Sequence, residues 1–530
     1  MDGTGAVSRR GDVGVVGDRI AAVGDLSGAR AARILDVEGL HVVPGFIDAH
    51  SHATAGLSSL DLSGAEPLLV QGVTTVVVNV DGGGPVDLVE QRRALEEHGL
   101  GVNVVRLVPF GSIRRQVLGQ EDRAPTQAEL ERMKALVRSG MQAGAFGLST
   151  GLYYAPQSYA ATEEVIELAR VAAEHGGVYH SHIRDEADYN VGLVAAVDEV
   201  IRIAREARLV GVISHVKALG PRVWGLSTEV VRHVEEARAA GIEVVADQYP
   251  YAASSTSLTG ALVPRWALEG GRKELLARLG DPEVRARIRG EMLENLDRRG
   301  GAERLRFTGR EGRTLAAVAR ERGLEPVDAA MDVIAEGSDG VISFNMQAED
   351  VRRFMRQPWT MTSSDGGLVR RGTAMPHPRN YGTFPRKIRL FVVEEKVLDL
   401  ESAIHSMTGL PARVFGLSDR GAIRPGGFAD IAVFDLARFQ DVATYEDPHR
   451  LAEGMVHVLV NGSFAIEHGR PTGILGGRVL APMAPPPTTG SPDANAGKRR
   501  LQESSASTSF SWVASSPPEA AKIHKRKQKH

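Results

Sequence analysis

The chain contains no cysteine. That excludes disulfides, thiolate nucleophiles and any metal site built on sulfur, while saying little about compartment. An excess of one charge is missing too. Lys and Arg total 63 against 66 for Asp and Glu, a formal net charge of −3. This balance gives no electrostatic case for nucleic acid as a partner. No stretch approaches the roughly 18 apolar residues of a membrane span, so no membrane partner is expected. The first residues, Met1-Asp-Gly-Thr-Gly5, have no apolar signal core. What is present is length and apolar content. At 530 residues and 42% hydrophobic, the chain can form one large domain and a smaller one, each with its own core.

Residues 1–43 read as short strands joined by turns, at 12–16, 19–23, 33–37 and 40–43, which predicts a small β-unit. From residue 44 apolar strands alternate with amphipathic helical stretches, the pattern of a parallel α/β layer. The expected strands are 42–47, 74–79, 102–109, 145–149, 178–182, 211–215, 242–247 and 359–364. Eight is the number that a (β/α)8 TIM-type barrel needs. A ninth apolar run, 341–345, has no place in that count. The charged, helix-patterned stretch of about 268–336 reads as an insertion over the barrel mouth. Short strands return after Pro411, at 430–434, 456–460 and 464–467. The expected division is therefore a small β-sandwich-like domain built from 1–43 and 412–480, around a barrel spanning 44–411. Beyond Leu480 the composition turns to Pro, Ser, Thr and Ala and ends in Lys525-Arg-Lys-Gln-Lys529. Residues 481–530 are expected to be disordered.

The ends of the expected strands carry the chemistry. The first leads into His50-Ser-His52, whose histidines share a facing because alternate strand residues do. The second leads into Asp81-Gly-Gly-Gly84, which lacks the Lys-Ser or Lys-Thr that a phosphate loop would place after it. The fifth ends at His182, the sixth at His215 and the last at Asp365. In a parallel barrel these ends converge on one face. Four histidines and two aspartates there predict a divalent-metal site of His, His, Asp type. His180 lies one repeat deeper than His182 and reads as a core residue. Lys217 follows His215 on the same facing, and Arg379 follows Asp365. Both are cations suited to a carboxylate ligand.

The chain resembles the amidohydrolase superfamily, and within it the N-acyl-D-amino-acid deacylases (D-aminoacylases). The motifs that carry the resemblance begin with Pro44-Gly-Phe-Ile-Asp-Ala-His-Ser-His52, Gly72-Val-Thr-Thr-Val-Val-Val78, Gly147-Leu-Ser-Thr-Gly-Leu-Tyr-Tyr154 and His182-Ile-Arg-Asp-Glu186. They continue with Ser214-His-Val-Lys217, Tyr249-Pro-Tyr251, Ser364-Asp-Gly366, the 377–386 segment, 421–430 and Val460-Asn-Gly462. The resemblance implies zinc held by His182, His215 and a ligand at the end of strand two. It implies a second metal position at His50, His52 and Asp365. In the similar D-aminoacylases the strand-two ligand is a cysteine, and Asp81 stands there in this chain. Relatives that instead bridge two metals use a carboxylated lysine or glutamate on strand four, and 145–154 offers neither. The expected cofactor is one or two divalent ions, zinc first, with manganese or cobalt as substitutes. The resemblance also assigns carboxylate binding to Lys217, Tyr154 and Arg379, with Tyr249 and Ser255 close by. It implies one more strand ahead of Asp2, so the start codon is misplaced or the β-unit lacks an edge strand. The cytoplasm is the expected location, unless a preceding leader contains a signal peptide.

The reaction implied is hydrolysis of N-acyl-D-amino acids, giving a D-amino acid and a carboxylate. A metal brings the pKa of bound water from about 15.7 to about 7. Asp365 would take the water's proton as general base and return it to the leaving nitrogen as general acid. The alternatives are a cyclic-amide hydrolase of dihydroorotase or hydantoinase type, against which the missing strand-four lysine counts, and an inactive barrel used as a binding scaffold. Acyl group, side-chain preference and oligomeric state are not legible at this level.

Overall fold

A computed structural model describes residues 1–337, 339–482 and, as backbone, 520–524. The chain opens with β1 (Asp12–Val16), β2 (Arg19–Gly24), β3 (Arg33–Asp36), β4 (His41–Pro44) and β5 (Phe46–Asp48). Next come β6 (Val73–Val78), β7 (Asn103–Arg106), β8 (Val108–Pro109), β9 (Gly147–Gly151), β10 (Val178–His182), β11 (Gly211–Ile213) and β12 (Val244–Gln248). After β13 (Ser254–Ser257), β14 (Leu305–Phe307) and β15 (Gly340–Ser343) stands β16 (Thr360–Thr362). The last strands are β17 (Ile431–Phe434), β18 (Met455–Val460), β19 (Ser463–Glu467), β20 (Arg470–Pro471) and β21 (Ala520–His524).

The expected strand at 42–47 divides at Gly45. β4 pairs antiparallel with β17, whereas β5 pairs parallel with β6. Pro44 has no N–H to continue a ladder. A Cβ on Gly45 would lie 2.2 Å from Oγ1 of Thr74. The chain therefore passes from one sheet to another across a residue without a side chain, and the start of β5 is pinned against β6.

The parallel strands form two hydrogen-bonded groups, β5-β6-β7 and β16-β12-β11-β10-β9-β8. β6, Val-Thr-Thr-Val-Val-Val, is buried throughout, as expected of a β-branched strand covered on both faces. β7 and β8 flank Leu107, whose N–H bonds Val78 O at 3.1 Å. At the other margin Ala49 N donates to Thr362 O at 3.3 Å, and Ser51 bridges Gly366 in parallel register. Helices pack outside. Gln127–Gln142 starts at a capping box of Thr126 and Glu129. Leu193–Ala207 buries Leu193, Ala196, Val197, Val200, Ile203, Ala204 and Ala207, the three-and-four spacing of a single apolar stripe.

The run at 341–345 that had no place is β15, which pairs antiparallel with β13 and with β14. The insertion consequently reaches from β13 to β15, wider than the expected 268–336. It has its own core of Leu258, Leu262, Ile288, Met292, Phe307 and neighbours. β13 reads Ser-Ser-Thr-Ser and has no apolar alternation to reveal it. Sheets β2-β1-β21-β3 and β20-β19-β18-β17-β4 share a core in which Val13, Val15 and Ile20 meet Ile431, Val433 and Leu459. Leu410, Ala412, Val414, Phe415 and Leu417 pack into the core of the parallel layer, so that layer extends past the expected limit at 411. Most of 481–530, including 525–529, lies outside the described residues. Within it, β21 runs antiparallel to β1 and parallel to β3, which corrects the expectation of disorder for those five residues. Among the described residues no helix is long and apolar enough to cross a membrane.

The Gly45 crossing gives a stability test. Gly45→Ala should destabilise the protein by about 1–3 kcal/mol through overpacking against Thr74. Thr74→Ala, harmful alone, should cost less in the Gly45→Ala background, because the two side chains compete for one space. Denaturant melts of the four proteins measure both effects. Full additivity would show that the two positions do not share a constraint.

Candidate active site

The loop after β6 determines where the site forms. Asn79 (φ 61°) and Asp81 (φ 55°) both adopt the left-handed region, which Asn and Asp tolerate better than other side chains but at a cost of about 1–3 kcal/mol each. The loop is held from several sides. Ser149 on β9 donates to Asn79 O and accepts from Gly82 N at 3.2 Å. Gln157 donates to Asp81 O at 2.9 Å and accepts from Gly151 N at 2.6 Å. Gly82 is required beside it, since a Cβ there would lie 2.1 Å from Gln157 Oε1. His215 (φ 35°) and Asp365 (φ 48°) are also left-handed. Backbone strain is thus concentrated on three of the six expected ligands.

The six side chains converge. Asp81 Oδ1 lies 3.5 Å from His50 Nε2, 3.6 Å from His215 Nε2 and 3.9 Å from His182 Nδ1. Asp81 Oδ2 lies 3.4 Å from His52 Nε2. Asp365 Oδ1 is 3.1 Å from His52 Nε2 and 3.7 Å from His50 Nε2. Donor atoms of His50, His52, Asp81 and Asp365 fall within 4.8 Å of one another, and so do those of Asp81, His182 and His215. Asp81 belongs to both groups. Asp365 N donates to His50 O and His52 N to Gly366 O, which locks the first and last strand ends in register. Asp48 reinforces this join, accepting from His50 N and Ser364 N and from the Ser364 hydroxyl.

Several of these atoms are buried without a hydrogen-bond partner: both ring nitrogens of His50 and of His182, and Oδ1 of Asp81. Buried polar atoms are normally satisfied, so a convergent set of unpaired donors of this type fits a cation. Burial brings the His182 ring down to about 4, keeping it neutral with one ring nitrogen's lone pair available. Burial raises the Asp81 carboxyl, but His50, His215 and His52 together hold it well below the usual range. Burial opposes ionisation of Asp365 as well, and Arg379 with His215 outweighs it. Both carboxylates are therefore anionic.

A cavity of about 350 Å³ opens beside this cluster, with Lys217, Arg379, Tyr154, Tyr249, Ser254 and Ser255 in its wall. Lys217 Nζ is 2.5 Å from Glu186 Oε1 and 2.7 Å from His215 Nδ1. Glu186 Oε1 also approaches His215 Nδ1 at 3.1 Å. This places a carboxylate behind the ring and orients Nε2 toward Asp81. Arg379 Nη1 is 2.7 Å from Asp365 Oδ2, with the guanidinium 4.8 Å from the Tyr249 ring centre. Burial holds the phenols of Tyr154 and Tyr249 well above 10, so both remain donors. Ser254 spends its hydroxyl on Asn345 at 3.1 Å.

All eleven residues expected from the sequence lie at this one place. His180 is the core residue expected, between Asp247 Oδ2 at 3.2 Å and Ser214 Oγ at 2.8 Å. Asp185 accepts from the N–H groups of Ala187, Asn190 and Gly192 and pairs with neither Lys217 nor Arg379. Sequence reasoning missed Gln157 and Ser149, which brace Asp81, and Arg299, a wall residue from the insertion. Ser149 stands inside the 147–154 motif with nothing in it to indicate a bracing role, and Gln157 has no local signal. Arg299 sits in an Arg-rich helix end indistinguishable from a solvated one.

Comparison with known proteins agrees with this geometry. The chain is 37% identical to a D-aminoacylase of Alcaligenes xylosoxydans xylosoxydans over 507 residues, covering 91% of this chain and 96% of that protein. It is 36% identical to an N-acyl-D-glutamate deacylase of the same organism, covering 89% and 93%. A solved N-acyl-D-glutamate deacylase from Bordetella bronchiseptica, complexed with zinc and a phosphonate mimic of the tetrahedral intermediate, superimposes with a TM-score of 0.76. That structure is 34% identical to the chain, with 91% of this chain and 97% of that one covered. With the amidohydrolase family model matching residues 33–466 as well, the chain belongs to the amidohydrolase family.

Proposed function

We propose that the protein is a metal-dependent deacylase of N-acyl-D-amino acids, working at the C-terminal ends of a closed (β/α)8 barrel. The observation that carries this reading is Asp81. One carboxylate is shared by two His/Asp groups, at the edge of a cavity whose wall holds two cations suited to an amino-acid carboxylate. The named activities of the relatives support the same reaction class.

His182, His215 and Asp81 would hold one divalent ion, and His50, His52, Asp81 and Asp365 a second. Bound there, zinc supplies a Lewis acid that acidifies water and polarises an amide carbonyl. The chain's own groups do the rest. Asp365 is anionic and buried, and takes the proton from the attacking water. The water oxygen adds to the amide carbon. Asp365 then delivers its proton to the nitrogen as the C–N bond breaks, so the amine leaves neutral. Arg379 fixes Asp365 through Oδ2 and keeps other N–H groups for the substrate carboxylate. Its Nε has no hydrogen-bond partner, and a guanidinium has five donors. Lys217 has three donors, one of them directed at Glu186, which leaves others for the substrate. Tyr154 and Tyr249 add neutral donors, and Ser255 lies alongside.

A screen of N-acetyl-D- against N-acetyl-L-amino acids tests the proposal directly. The D-series should be hydrolysed with free amine released, and turnover confined to L-substrates or cyclic amides would overturn it. Chelation should abolish activity, and zinc, manganese or cobalt should restore it, because a carboxylate discriminates among these ions less than a thiolate does. Asp81→Ala should lose metal, whereas Asp81→Cys should retain at least one zinc by elemental analysis. An Asp81→Ala protein with wild-type metal content and turnover would remove Asp81 from the ligand set.

Arg379→Ala and Lys217→Ala should each lower kcat/KM by about 1.5 kcal/mol or more, the worth of a charge-assisted bond. Amides lacking the α-carboxylate should lose far less. Equal losses on both kinds of amide would instead make the two cations part of the Glu186 and Asp365 framework.

A further inference from the structure

A third cation lines the cavity and has no role in the reaction described. Arg299 follows directly on the helix Pro282–Arg298 of the insertion and is 2% exposed. Its Nε donates to Ala261 O at 3.0 Å, Nη1 to Ser343 Oγ at 3.1 Å and Nη2 to Tyr153 Oη at 3.4 Å. All three acceptors are neutral, and two of the five guanidinium N–H groups are left over.

The other two cavity cations differ in this respect. Lys217 has Glu186 at 2.5 Å and Arg379 has Asp365 at 2.7 Å. No carboxylate of the described residues comes within 4.0 Å of Arg299. An ion buried without a counter-ion is destabilising, and replacement by an apolar side chain of similar volume would relieve the cost. Arginine at this position is explained if the counter-ion arrives with the ligand. The α-carboxylate already has Lys217 and Arg379, which flank the metal cluster through His215 and Asp365. Arg299 comes from the insertion instead, on the wall formed with Tyr153. The anion it would meet is a second one, carried by the substrate's side chain.

Resting on the deacylase reading, we propose that Arg299 forms a side-chain carboxylate subsite, and that the preferred substrates are N-acyl derivatives of the acidic amino acids D-glutamate or D-aspartate. Overall similarity does not decide this, because identity to the D-aminoacylase and to the N-acyl-D-glutamate deacylase is 37% and 36%. The local charge does. A site built to pair a carboxylate rejects an analogue that cannot complete the pair, since its own buried group is then left unsatisfied.

The test is kcat/KM of the metal-loaded full chain with N-acetyl-D-glutamate, N-acetyl-D-aspartate, their amide counterparts N-acetyl-D-glutamine and N-acetyl-D-asparagine, and N-acetyl-D-leucine. At least one acid should exceed its own amide by about tenfold or more. Arg299→Met should depress that acid at least about thirtyfold more than leucine, and Arg299→Lys should keep part of the preference. Wild-type protein that hydrolyses each amide as well as its acid would overturn the proposal, and this ratio needs no variant, so it decides the matter even if Arg299→Met does not fold. An equal loss by Arg299→Met on acids and leucine would overturn it too, placing Arg299 on the α-carboxylate or in the frame of the insertion. Leucine hydrolysed ahead of both acids removes this subsite and leaves the deacylase reading standing. Failure with every N-acetyl-D-amino acid removes both.

Discussion

The carboxylate of Asp81 is the point on which the site depends. Its two oxygens face four histidines that would otherwise meet one another across a desolvated space, with ring centroids of His182 and His215 4.5 Å apart and those of His50 and His215 4.7 Å apart. Four imidazoles converging without an anion would resist a dication, because charge in a buried site must be compensated locally. Asp81 and Asp365 supply that compensation, and their own ionisation is maintained by the same histidines and by Arg379. The cluster is therefore mutually dependent, and removal of one member alters the protonation of those beside it.

Such a cluster does not assemble itself. Asp81, His215 and Asp365 occupy left-handed backbone, which surrounding structure must impose. The bracing runs through residues with no part in the chemistry. Ser149 and Gln157 hold the Asp81 loop, Asp247 accepts from His215 N at 2.9 Å and Ser363 Oγ at 2.6 Å, and Asp48 ties the first strand end to the last. Each brace joins two strand ends, so the rigidity of the parallel layer passes to the side chains. Ligand geometry fixed in this way is what lets a site act without reorganisation when charge develops.

How much of this was legible follows from where each residue lies. Residues at strand ends could be found, because parallel β/α alternation fixes which ends share a face, and His50, His52, Asp81, His182, His215 and Asp365 all stand at such ends. Of the cavity-wall residues, Lys217 and Arg379 were legible from their places after His215 and Asp365, and Tyr154 through the family resemblance, which matched a whole motif around it. The braces were not, since Ser149 and Gln157 act through contacts between segments that no local pattern records. The break at Gly45 was hidden for a related reason. An apolar run looks alike whether one sheet or two receive it, and only the Thr74 side chain packed against Gly45 divides it. The insertion was misjudged because Ser254–Ser257 is polar on both faces, so that its strand character exists only by virtue of β15.

These two kinds of residue divide the work of the protein. Every group proposed to touch the reacting atoms comes from the parallel layer, where position is fixed by strand register and strain. The cavity wall also takes Ser254, Ser255, Thr256 and Arg299 from the insertion, which has its own core and its own antiparallel sheet. Changing a side chain there alters charge and shape at one remove from the Asp81 cluster, since Arg299 reaches the cavity through bonds to Ala261, Ser343 and Tyr153 and to none of the proposed ligands. A family in which relatives of nearly equal identity act on different N-acyl-D-amino acids is what this separation permits. Selectivity can then change on one unit while the hydrolytic chemistry of the other is conserved by its own electrostatic interdependence.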